Sequence, residues 1–142
     1  VLARALVAAL LLLAAFSAGA GDFVEGQVWS YRTRPNEGAS TLLIGKIEKD
    51  PTLGVIYHIS ISGLSIRDSR AESGVRHELP HIPVSQQTLQ SSCLQLLGNA
   101  APNPNFAQGY AEWKKAFDQG QAGVYSISVA EIVDIADKML RR

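Results

Sequence analysis

From Gly54 to Arg67 the chain alternates with a period of two, with Val55, Tyr57, Ile59 and Ile61 on one parity and Ile56, His58, Ser60 and Ser62 on the other. Successive side chains of extended backbone point to opposite sides, so the pattern predicts a strand with one strongly apolar face. Past Gly63 the apolar parity switches to Leu64 and Ile66. A one-residue slip turns every following side chain over, and the glycine therefore marks a bulge or bend.

A strand of this length needs neighbours, and what flanks it sets the fold class. Gln27 to Tyr31 is rich in strand formers and stops at the turn-forming stretch Arg32-Thr-Arg-Pro-Asn-Glu-Gly38; Ser40 to Glu48 is a second strand, apolar on both parities through its middle. Residues 68 to 83, with Gly74, Pro80 and Pro83, read as a polar connection. From Ser85, an N-cap, the spacing of Leu89, Cys93, Leu96 and Leu97 predicts a helix that ends at Gly98. A second helix follows Asn103-Pro104 and carries Phe106, Tyr110, Trp113 and Phe117 as a core stripe. Gly123 to Ile127 is a short strand, and Ser128-x-x-Glu131 is a capping box opening a last helix. Strands clustered ahead of helices predict one α+β domain over residues 21–142, an antiparallel sheet of three to five strands with about three helices packed on one face.

The N-terminus carries Arg4, an uninterrupted apolar run from Ala5 to Phe16, then Ser17-Ala-Gly-Ala20. Twelve helical residues rise only about 18 Å, short of a hydrocarbon core of about 30 Å. Residues 1–20 are therefore expected to be a cleavable signal peptide, placing a soluble protein in the periplasm or medium with no membrane attachment after cleavage. In the whole chain 13 basic residues balance 13 acidic ones, which argues against a nucleic-acid partner. Cys93 is the only cysteine, so no intramolecular disulfide forms; on an apolar helical stripe it is expected to be buried and inert.

His77-Glu-Leu-Pro-His81 matches H-E-x-x-H as a string, but Pro80 and Pro83 exclude the helix on which both imidazoles would reach one zinc ion. No metal and no cofactor is expected. No G-x-S-x-G elbow and no phosphate-cradling glycine loop is present. Arg32 and Arg34, two apart in an extended stretch, offer guanidinium forks for a small anionic ligand or a protein partner, or pair with Glu37 to pin their own loop. The runs Tyr31-Arg-Thr-Arg-Pro, Tyr57-His-Ile-Ser, Leu79-Pro-His-Ile-Pro-Val-Ser85, Gly109-Tyr-Ala-Glu-Trp-Lys114 and Gly123-Val-Tyr resemble a group of short bacterial proteins with no established activity. That resemblance implies no catalytic residue. The expected function is an exported binding or interaction module using Arg32, Arg34, Glu37, His58 and His81. The rival expectation is a small hydrolase with His58 or His81 as general base in a loop-lined cleft, and a third is a sheet edge that pairs with a partner.

Overall fold

The long strand is the second from one edge of a five-stranded antiparallel sheet. The computed structural model describes residues 23–142, so the leader expected at 1–20 lies outside the described residues. The strands are β1 (Gln27–Tyr31), β2 (Thr41–Asp50), β3 (Gly54–Arg67), β4 (Val75–Ser85) and β5 (Cys93–Asn99), in the order β4-β3-β2-β1-β5. Three helices complete the α+β domain: α1 (Gln86–Ser92), α2 (Phe106–Asp118) and α3 (Val129–Leu140).

One face of the sheet presents Trp29, Tyr31, Leu42, Ile44, Tyr57, Ile59 and Ile61 to α1 and α3, whose Leu89, Val129, Ile132 and Val133 complete the main core. Gly63 takes φ +73°, and the β3–β4 register shifts between Ser62 and Ile66, which is how Leu64 and Ile66 return to the core face. Ser85 caps α1, and the Ser128–Glu131 capping box holds α3. Among the described residues no helix is long and apolar enough to cross a membrane.

Three expectations are corrected. The connection after β3 is shorter than expected: it turns at residues 68–74 and then enters β4, an edge strand whose register shift at Pro80–His81 absorbs a proline. Edges and bulges are where a sheet tolerates a residue without an N–H. The helix from Ser85 stops at Ser92, and Cys93–Asn99 pairs with the open edge of β1 instead. Leu96 and Leu97, counted in an apolar helical stripe, are about half exposed on that edge strand, as is Leu94 between them and Cys93. In place of a strand at Gly123–Ile127 there is one parallel bridge, from Tyr125 to Val84.

The helices also divide between the two faces. α2 lies opposite α1 and α3, over His58 and Lys46, because β2 and β3 each carry a partly apolar second face that needs cover. Two glycines admit it. A methyl group on Gly45 would stand 2.6 Å from the Phe106 ring, and one on Gly109 would stand 2.8 Å from Cβ of His81. Gly45→Ala is expected to cost about 1–3 kcal/mol by overpacking, measured by chemical denaturation.

Candidate functional site

His58 lies on the α2 face of β3 and is fully buried. Its Nε2 is 2.7 Å from a carboxylate oxygen of Glu48, and its Nδ1 is 2.8 Å from Nε2 of His81. The three residues come from three adjacent strands. Glu48 lies diagonally across the β2–β3 ladder, where Lys46 is the direct partner of His58, and His81 is delivered by the bulge in β4. From α2, the Tyr110 hydroxyl reaches both Glu48 oxygens at 3.1 and 3.2 Å. Trp113 packs its ring 4.8 Å from that of His58 and donates its indole N–H to the Gly123 carbonyl at 2.9 Å.

The bonding partners set the tautomers. A carboxylate only accepts, so His58 donates from Nε2; its Nδ1 then accepts the Nε2–H of a neutral His81. The remaining nitrogen, Nδ1 of His81, has no hydrogen-bond partner among the described residues. No fully buried side-chain nitrogen or oxygen among them lacks a partner, so this Nδ1 keeps some exposure to solvent.

Burial keeps both imidazoles neutral. Desolvation lowers the pKa of His58 from 6.5 although Glu48 pulls the other way. Desolvation, and then the charge that His58 would carry, lower that of His81 to about 4. Both folded values lie below the unfolded one, so the unfolded chain binds more protons as pH falls through this window. The contribution of the two neutral imidazoles to stability is therefore fully present above about pH 6.5 and is lost as pH falls towards 4, with a slope of up to about 1.4 kcal/mol per pH unit for each. Denaturation midpoints measured across that interval check the sign; a flat profile goes against neutral imidazoles.

His81 and Trp113 together form the wall between two grooves. One, of about 510 Å³, continues along Pro83, Ala122, Gly123, Val124 and Tyr125. The other, of about 550 Å³, continues along Arg76, Glu78, Asn105, Gln108, Gly109 and Glu112. Ligand sites are commonly concave, with a few oriented polar groups in a mostly apolar wall. The first groove fits that description, whereas the second is walled mainly by polar and charged side chains.

The arginine loop is elsewhere. Antiparallel pairing brings it to the C-terminal end of β3, where Glu37 accepts the Ser65 backbone N–H at 2.8 Å. There Arg34 grips Glu37 through two bonds of 2.6 and 2.9 Å and reaches Asp134 and Asp137 of α3 at 3.2 and 3.1 Å. Its fork is occupied by carboxylates of its own chain. Arg32 is exposed, and its backbone N–H donates to the Ser92 carbonyl. Of the five residues singled out in the sequence, the structure joins His58 to His81 and Arg34 to Glu37 and leaves Arg32 apart from both pairs.

The H-E-x-x-H string runs along β4, where His77 turns to the Leu64 carbonyl at 2.9 Å while His81 turns to His58. Among the described residues no group of three or more His, Cys, Asp or Glu side chains is arranged to hold a metal ion. Cys93 is half-buried, and desolvation raises its thiol pKa to about 12, far from a reactive thiolate. Sequence reasoning missed Glu48, and took Tyr110 and Trp113 for core. The spacing that put Tyr110 and Trp113 on one helical stripe did identify the face that meets the histidines. No protein-family model, curated protein or solved structure matches the chain.

Proposed function

We propose that this protein is an exported binding module whose ligand sits against His81 and Trp113. The observation that supports it is the Nδ1 of His81, without a hydrogen-bond partner among the described residues and not fully buried, on a ring that lines both grooves of about 510 and 550 Å³. Behind it, Glu48 and His58 fix the ring's orientation and tautomer, so the acceptor is held ready without reorganisation. Export rests on the Arg4 and Ala5–Phe16 pattern.

Amide chemical shifts of isotope-labelled protein, recorded against small neutral, cationic and anionic probes, test the reading. Shifts are expected to cluster on β4, α2 and the Gly123–Tyr125 segment around His81 and Trp113. Shifts concentrated instead on the Arg32–Glu37 loop would count against this location.

A hydrolase reading draws on the same chain of groups. A proton taken by His81 at Nδ1 can be matched by transfer from its Nε2 to His58 and from His58 to Glu48, the arrangement a general base needs. The hydroxyls nearest the histidines are engaged, Ser60 with the Pro80 carbonyl and Tyr110 with Glu48, so water would be the nucleophile on this reading. A pH–rate profile falling as His81 is protonated near pH 4 would favour it over simple binding.

A further inference from the structure

The groove bounded by β4 and α2 carries a charge that no ion pair among the described residues compensates. Glu78 and Glu112 both line it. Glu78 accepts from the Asn103 amide at 3.0 Å and Glu112 from the Gln108 amide at 3.2 Å, so both carboxylates are positioned by neutral donors that leave their charge in place. Arg76, the cation in the same wall, is turned onto the buried Asp68 at 2.7 and 2.9 Å. His81 adds a neutral acceptor on this side: a Cβ built on Gly109, which lines the groove, would lie 3.9 Å from its Nδ1. The one indole donor of the wall, Nε1 of Trp113, is already bonded to the Gly123 carbonyl.

On the reading that this groove is a ligand site, we propose that it takes a small organic cation, an ammonium group carrying an apolar substituent. An ammonium has three donors and no acceptor, which suits a wall offering carboxylates and an imidazole lone pair. Bonds from a charged donor to a carboxylate are stronger than neutral ones, and the apolar substituent lies against Trp113 and Pro80. An anion would meet Glu78 and Glu112 with repulsion. Because His81 stays neutral at pH 7, it accepts from the cation rather than opposing it.

Three probes sharing one ring separate charge from shape: benzylammonium, benzyl alcohol and benzoate, each titrated into the labelled protein near neutral pH. Benzylammonium is expected to shift the amides around His81 and Trp113 and to bind at least about tenfold more tightly than either of the others. Added salt should weaken benzylammonium selectively. In the isosteric double variant Glu78→Gln, Glu112→Gln, its affinity should fall to that of benzyl alcohol while the melting temperature is unchanged, since glutamine keeps the bonds to Asn103 and Gln108. Equal binding of benzyl alcohol or benzoate in the groove overturns the cation inference and leaves the groove as a ligand site. Absence of benzylammonium shifts there also overturns it, and if all three probes leave these amides unmoved, the reading of the groove as a ligand site fails with it.

Discussion

Arg34→Ala is expected to lower folding stability by about 3–5 kcal/mol, although the residue sits in a surface loop. Arg34 is the hub of an ion network that ties this loop to β3 and α3. Two of its nitrogens hold Glu37, which is 5% exposed, and a third reaches Asp134 and Asp137. Glu37 in turn accepts the Ser65 N–H, and Asp137 accepts the Arg67 N–H and pairs with Arg141 at 2.8 Å. Truncation removes the charge that faces a buried carboxylate and leaves that carboxylate desolvated, which is the costly way to break such a pair. Arg34→Lys should recover only part of the loss, because a single ammonium cannot reproduce the two-pronged grip on Glu37. Denaturant midpoints at neutral pH measure both variants. A loss below about 1 kcal/mol for Arg34→Ala would place the network with exposed ion pairs and free the loop for ligand binding.

The second large effect is expected at His58. His58→Ala removes a fully buried ring that lies between Glu48 and His81 and packs against Tyr110 and Trp113. A cavity and two groups stripped of a partner together predict a loss of about 3 kcal/mol. The same variant should flatten the fall in stability between pH 6.5 and 4, since one of the two titrating imidazoles is gone and the other loses its charged-neighbour penalty. His81→Ala should cost less, because His81 is only half-buried and His58 keeps its bond to Glu48. If His58→Ala and His81→Ala melt together with unchanged pH profiles, the two rings are not a coupled unit.

What the sequence made legible was local. The alternation through β3, the bend at Gly63, the Ser128–Glu131 capping box and the aromatic stripe of α2 are each set within a few residues, and each appears where its pattern placed it. The errors came where pairing partners decide the outcome. Leu89, Cys93, Leu96 and Leu97 satisfy a helical period, but the open edge of β1 takes residues 93–99 as a strand, and a short apolar run carries too little information to choose. Pro80 and Pro83 concealed β4 because a proline excludes a helix without revealing that an edge strand can hold it. For the site, His58 was visible as a polar residue on the weaker parity of β3. Its partner Glu48 was not, since a diagonal neighbour across a ladder with a register shift follows from pairing rather than from spacing. The two arginines, conspicuous in the sequence, divide into one that serves the fold and one exposed to solvent.

The state of the histidine rings tests the central claim, that Glu48 and His58 hold His81 with an unprotonated Nδ1 free to accept. Long-range proton–nitrogen NMR spectra of the imidazoles distinguish the two neutral tautomers from the charged ring, and His77→Asn removes the only other histidine signal. At pH 7 both His58 and His81 should carry the proton on Nε2 and none on Nδ1, and His81 should remain neutral until the pH approaches 4. A protonated Nδ1 on His81 at pH 7, as the other tautomer or as imidazolium, would contradict the account.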